Sequence, residues 1–471
     1  MEKMPSLLVK QGLLTLLSSL FLLIIPSLSF SQNLIWSQPI EVASGVSASL
    51  RPRVALDNQD NPIVIFAQNA NPNQLYKTKF NNNAFEPIVN LATAAPYVSS
   101  AAGPEIAFAN DIIYISFENE NEGVYMLKSI NGGNTFSDTV RVDNVHNKAV
   151  LPNVNIKSDF NPLLSFTRVN SSWTQINQVV SNSIDGGQTF LPDVSASVIT
   201  SNQPCECCFS KVVSEGSTQA SIFRNNDNNV RNFYASVSHD GGQSFSDYLE
   251  IDLLDWNLNA CPDAGPDAYL KNGKLFITYR SGSLGPNRVF VARVDLNSLS
   301  VEQVTPVDEA LSSSMAQKYP DIAGDESNVG VVWMDNRSML NDCFFSYSTD
   351  GFDSWSTPVY ISDSSLMVQF VEPDVAYRNN KFHFVYRNQN QNIILYRTAE
   401  LQNTSSLHEV VFNLEINDSK IQLPEHLNYQ LFDVSGKLIQ NGFESTLDIS
   451  GLSKGLYLLK TPTSVHKFVK E

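Results

Sequence analysis

The sequence predicts an all-β chain, a β-propeller of seven blades followed by a small C-terminal β-sandwich. Three observations carry this. A turn pattern recurs at a fixed interval, short strands begin at seven matching points, and no convincing long amphipathic helix interrupts them.

The chain has 471 residues, 42% hydrophobic and 17% charged, which is too apolar and too sparsely charged for a disordered protein. Lys and Arg number 31 and Asp and Glu 48, so 31 − 48 gives −17. That balance opposes a general role on nucleic acid or anionic membranes, both of which need a basic surface.

Residues 1–31 read as a secretory signal peptide. Lys3 and Lys10 precede an apolar run from Leu13 to Ile25, Pro26 breaks it, and Ser29-Phe30-Ser31 supplies small residues for cleavage. The run is about 13 residues, short of the roughly 20 that span a bilayer. No later segment is apolar enough, so no membrane span is expected after signal removal. Export exposes the cysteines to oxidising conditions.

The propeller is expected over residues 33–402. Four turns share one pattern: Ser129-Ile-Asn-Gly-Gly-Asn-Thr-Phe136, Ser183-Ile-Asp-Gly-Gly-Gln-Thr-Phe190, Ser238-His-Asp-Gly-Gly-Gln-Ser-Phe245 and Ser348-Thr-Asp-Gly-Phe-Asp-Ser-Trp355. Their first serines are 54, 55 and 110 residues apart, the last interval being twice 55 with a degenerate copy near residue 293. In each, Asn131, Asp185, Asp240 or Asp350 can accept backbone hydrogen bonds, glycine supplies positive φ and the aromatic packs between blades. These four are therefore structural residues. Seven inner strands start near Pro52, Pro104, Pro152, Phe209, Pro266, Pro320 and Pro373, each followed by a second apolar strand. Trp36-Ser-Gln-Pro-Ile-Glu-Val42 matches the outer strands but has no blade before it, so it is expected to complete the last blade and close the ring.

Residues 405–471 lack the repeat. Tyr429-Gln-Leu-Phe-Asp-Val-Ser-Gly-Lys-Leu-Ile439, Leu447-Asp-Ile-Ser-Gly-Leu-Ser-Lys-Gly-Leu-Tyr-Leu-Leu459 and His466-Lys-Phe-Val-Lys470 alternate strands with glycine turns, as in a sandwich. This motif set resembles the C-terminal sorting domain of the type IX secretion system of Bacteroidetes, without the usual Pro-Asn-Pro opening. The resemblance implies the type IX machinery as a partner and a secreted or outer-surface location.

The Ser-x-Asp-x-Gly-x-x-Phe/Trp turns resemble the Asp-boxes (BNR repeats) of sialidase-like propellers. Sialidases have six blades, which stands as the alternative to the seven counted here. Pro204-Cys-Glu-Cys-Cys-Phe209, Arg224-Asn-Asn, Arg231-Asn-Phe-Tyr234 and Cys261-Pro-Asp-Ala-Gly-Pro266 further resemble a group of exported bacterial sialidase-like proteins. The resemblance implies an arginine trio for a substrate carboxylate, a tyrosine nucleophile with a glutamate, and exo-sialidase-like glycoside hydrolysis if the chain is catalytic.

Arginines recur at second-strand ends as Arg168, Arg224, Arg280, Arg337 and Arg387, with Arg51 and Arg53 beside the first inner strand. Guanidinium groups grip carboxylates bidentately, so an arginine-bearing funnel for a glycan or acidic small molecule is expected, with Arg224, Arg280 and Arg387 chosen as the trio. Each arginine can instead seal a blade turn. Tyr279, Tyr386 and Glu372 are the catalytic candidates, with core packing the competing role for the tyrosines. Cys205, Cys207, Cys208, Cys261 and Cys343 are expected at one face, as disulfides or as a soft-metal or redox site. No other cofactor is implied. Glycan binding without catalysis, on glycan or protein, remains the competing function.

Overall fold

The computed structural model describes residues 34–46, 49–91, 94–99, 102–121, 123–143, 148–198, 200, 203–308, 315–362, 366–402, 415–416, 419–461 and 465–470. The expected signal segment, residues 1–31, lies outside them. The chain divides into two compact units, Asn33–Gln402 and one that includes Asn403–Glu471.

Between Leu34 and Leu401 the strands hydrogen-bond into seven antiparallel sheets of four or five strands. Second strands such as Pro62–Gln68 and Val329–Asp335 are buried almost end to end. They lie between neighbouring sheets, so both faces are apolar and the sequence reads as an unbroken hydrophobic run. The innermost strands are Ser49–Leu56, Glu105–Ala109, Lys148–Ile156, Lys211–Glu215, Asp267–Lys271, Gln317–Gly324 and Phe370–Arg378. Each touches the next, and the last returns to the first. The result is a β-propeller around a central axis.

Closure is made from the N-terminal side. Leu34–Trp36 and Ile40–Ala43 both pair antiparallel with Ile393–Leu401, with Trp36 opposite Ala399 and Ile40 opposite Tyr396. The Trp36 ring stacks on Phe384 at 5.5 Å, meets Phe345 edge-on at 6.1 Å, and lies 4.6 Å below the Arg397 guanidinium.

The repeated turns peg one sheet to the next. In the second copy, the Ser183 hydroxyl donates to Asp185 at 2.8 Å, and Asp185 accepts from the Thr189 amide at 3.0 Å and its hydroxyl at 2.6 Å. Asp240, Asp350 and Asn131 take the same part in the other copies. A cation from the preceding sheet caps the turn's glycine carbonyl: Lys79 on Gly132 at 2.9 Å, Lys128 on Gly186 at 2.8 Å, and Arg293 on Gly351. Phe190 and Phe245 fill the seams between sheets.

The C-terminal unit, expected as a sandwich, is likewise built of strands. Glu415–Ile416, Lys420–Asp433, Leu438–Asp448, Gly455–Lys460 and Val465–Lys470 hydrogen-bond as a single sheet. The long strand Lys420–Asp433 pairs with Leu438–Asp448 through two register shifts and with Gly455–Lys460 as well. Ile421, Leu431, Leu447 and Leu459 form its core.

Trp36→Ala should lower stability by about 2–4 kcal/mol, because it removes a stacked, partly buried ring from the closing strand. A shifted denaturant midpoint with an unchanged far-ultraviolet spectrum is the expected result.

Candidate functional site

At the axis, equivalent residues of the inner strands reach across to the next sheet. Asn153 accepts the Val212 amide at 3.3 Å, Asp267 that of Ile322 at 3.0 Å, Asp321 that of Val375 at 2.8 Å, and Asp374 that of Val54 at 2.8 Å. Ion pairs span other gaps: Lys211 with Asp267 at 2.7 Å, and Arg53 with Glu105 at 2.6 Å and Asp374 at 3.3 Å. Burial, with Asp267 and Asp374 nearby, pushes the Asp321 carboxyl well above its usual range.

Two residues before four of these polar groups, Arg53, Asn153, Asp321 and Asp374, the backbone turns left-handed. Arg51, Leu151, Tyr319 and Glu372 have φ of 57°, 55°, 50° and 56°, each immediately before a proline. The strand pairing slips at each point, as in a β-bulge. Such conformations are uncommon for residues other than glycine and re-aim the side chain. Two supports hold Arg51. Its amide donates to Glu372 at 2.9 Å, and Gly103 leaves it room, since a Cβ there would stand 2.6 Å from the Arg51 Cβ.

The Arg51 guanidinium is 8% exposed and stands 5.6 Å from the centre of the Tyr319 ring. Its Nε has no hydrogen-bond partner, and no carboxylate lies within ion-pair distance, among the described residues. Burial first, then Arg53, lowers its pKa. Arg51 lines an axial cavity that draws residues from the starts of all seven inner strands, including Tyr319, Phe209 and Asp263. Phe209 and Asp263 also line a wider cleft with Tyr97, Trp173, Glu120 and Glu206. Tyr97 and Trp173 are 42% and 39% exposed, so their faces are open. The disulfide Cys207–Cys261 joins the two loops that carry Phe209 and Asp263.

Each anticipated arginine has protein partners of its own, and of the expected trio Arg224 and Arg280 are neighbours. Arg53 is paired in the axial belt, Arg168 pairs with Asp193 at 2.8 Å, and Arg337 with Asp308 at 2.6 Å and with Asp335. Arg387 holds Glu372 through two contacts of 3.1 Å. Arg224 donates to the carbonyls of Arg231 and Arg280 and packs 3.9 Å from the Phe233 ring centre. Arg280 donates to the Pro262 carbonyl, while its charge acts on Tyr319 and Asp263.

The catalytic candidates occupy enclosed positions. Tyr279 and Tyr386 are 1% and 0% exposed in hydrophobic clusters, where alternation along their strands turns them into the sheets rather than toward the axis. Glu372 is saturated by Arg387 and the Arg51 amide, so it positions Arg51 instead of standing free. Cys343 is separate from the other cysteines. It lies in the core with Val332 and Phe345, and burial pushes its thiol well up. Cys205 and Cys208 are buried free thiols beside the disulfide, and they are the residues here suited to a soft metal.

Tyr97, Trp173, Tyr319, Asp263 and Glu120 were not anticipated. For Tyr319 the signal is the recurrent residue–proline–polar triplet at inner-strand starts, shared by Arg51-Pro52-Arg53, Glu372-Pro373-Asp374 and Tyr319-Pro320-Asp321.

The C-terminal region has a known counterpart. Residues 410–471 match the secretion system C-terminal sorting domain family. This module belongs to type IX secretion, so the protein is exported, either secreted or held at the outer surface. Among the described residues no helix is long and apolar enough to cross a membrane. No curated protein matches the chain. Similar solved structures include a polysaccharide lyase of family PL25, an ulvan lyase, at 11% identity and TM-score 0.48, covering 78% of this chain and 94% of that one. The six-bladed lectin of Aleuria aurantia has 11% identity and TM-score 0.40 over 62% and 90%. The α-L-arabinanase of Penicillium chrysogenum has 11% identity and TM-score 0.41 over 78% and 98%.

Arg224 and Tyr279 both act on Asp252. It accepts the Phe233 amide at 2.6 Å and interacts with the Tyr279 hydroxyl, and burial pushes its carboxyl up to about 6 despite Arg224. The folded state therefore holds this proton more tightly than the unfolded chain. The associated stability is full below about pH 4 and is lost as pH rises through about 6. Asp252→Asn should abolish that component, worth up to about 3 kcal/mol. Unfolding curves of variant and parent at pH 4.5 and 7.5 will diverge if this is right.

Proposed function

We propose that the seven sheets are the blades of an exported, sialidase-like propeller that binds an acidic glycan on its axial face. The observation that carries this is Arg51, a buried guanidinium at the axial cavity with no carboxylate partner among the described residues. A carboxylate is the group that such a guanidinium holds best, through paired, charge-assisted hydrogen bonds. The open faces of Tyr97 and Trp173 offer apolar platforms for sugar rings in the adjoining cleft. The repeated Ser-x-Asp turns, read as Asp-boxes, lie on the outer turns and serve the scaffold.

Recognition is favoured over sialidase chemistry because Tyr279 and Tyr386 are enclosed and Glu372 is doubly engaged. Hydrolysis would have to use Glu118, Glu120, Glu206 or Asp263, the carboxylates of the cleft.

Arg51→Gln should weaken binding of uronate- or sialate-bearing oligosaccharides by about tenfold or more while sparing neutral ones. Trp173→Ala should weaken both. Calorimetric titration with the paired glycans, and mass spectrometry for cleavage products, read the outcome. Unchanged acidic-glycan binding by a folded Arg51→Gln protein overturns the proposal. A chain ending at Gln402 should fold as a propeller yet fail to reach the cell exterior, as cell fractionation will report.

A further inference from the structure

Cys205 and Cys208 bound a turn and are 2% and 3% exposed. The sulfurs of Cys205, Cys207 and Cys208 lie within 4.8 Å of one another, and Cys205 Sγ is 3.7 Å from Cys207 Sγ. Cys207 is already bonded to Cys261, which leaves Cys205 and Cys208 as a pair of thiols.

Three guanidiniums surround this pair. Arg231 donates to Cys205 Sγ at 3.4 Å, the charge of Arg224 acts on both thiols, and that of Arg280 acts on Cys208. Arg224, Arg231 and Arg280 are 1%, 4% and 6% exposed. Their acidic neighbours are Asp252 beside Arg224, Glu206 at 3.4 Å from Arg231, and Asp263 near Arg280. Even so, the Nε atoms of Arg224 and Arg280 are buried without a hydrogen-bond partner. Burying positive charge is unfavourable unless negative charge accompanies it. Two neutral thiols, or a second disulfide between them, supply none.

We propose that Cys205 and Cys208 form a two-coordinate site for Cu(I). Soft thiolates select this ion, and it accepts two sulfur ligands. Two thiolates around a monovalent cation leave one net negative charge, which the surrounding guanidiniums stabilise. Binding releases the two thiol protons to solvent and changes no oxidation state. Zn(II) fits poorly, since it takes four ligands and no histidine or carboxylate joins this sulfur cluster among the described residues. Access is short, because Cys207 lines the cleft.

The test uses the full exported chain, purified without reductant and titrated anaerobically with Cu(I) against bicinchoninate. About one equivalent of Cu(I) should bind per chain, with a thiolate charge-transfer band in the ultraviolet. Cys205→Ser and Cys208→Ser should each lose that equivalent, whereas Cys343→Ser should keep it. Melting temperatures distinguish a lost site from a lost fold. X-ray absorption at the copper edge of the unaltered protein should read two sulfur ligands, independently of any variant. Nitrogen or oxygen ligands, or uptake of Zn(II) in preference to Cu(I), overturns the proposal. So does non-reducing alkylation of the denatured protein that labels Cys343 alone, since Cys205 and Cys208 would then be a disulfide.

Discussion

Six of the seven gaps between described inner strands are spanned near the axis by a side chain that reaches from one sheet to the next. Asn153, Asp267, Asp321 and Asp374 do this by accepting an amide hydrogen, and Arg53 and Lys211 do it by ion pairing. These innermost strands have no further strand on the axial side, so their amides need a partner that the sheet itself does not supply. The belt satisfies four of them and fixes the spacing of the sheets together. A propeller whose sheets merely packed through apolar seams would lack that register.

The same belt shapes the site. Anchoring the polar residue of each triplet leaves the residue before proline to absorb the bend, and at four places it does so with positive φ. Arg51 and Tyr319 are aimed by this strain rather than by regular strand geometry. Glu372 has the same backbone but turns its charge to holding Arg51 and Arg387. One backbone device, repeated, yields a cavity-lining cation, an aromatic wall and a brace, according to which side chain occupies the position.

The legible part of the fold is the part set by local chemistry. Serine, aspartate and glycine at fixed offsets announce a turn wherever they occur, and the period locates Cys207 and Cys261, 54 residues apart, at matching points of adjacent sheets. The arginines were harder because their partners are decided by the ring. Arg53 meets Asp374, which lies 374 − 53 = 321 residues away, and no spacing rule pairs them. Tyr279 and Tyr386 precede arginines in sequence, yet alternation sends neighbours to opposite faces of a strand.

The closing strand also sets the order of assembly. Leu34 pairs with Leu401, so 401 − 34 = 367 residues must be made before that contact exists. A chain emerging from its N-terminal end therefore carries its latch long before there is anything to latch. Until Ile393–Leu401 appears, the two N-terminal strands have no partner and stand as unpaired edges, open to wrong partners. Premature termination within the ring thus yields an open, adhesive arc in place of a smaller propeller. Holding such a chain in an unlocked state during export is the task this topology hands to the cell.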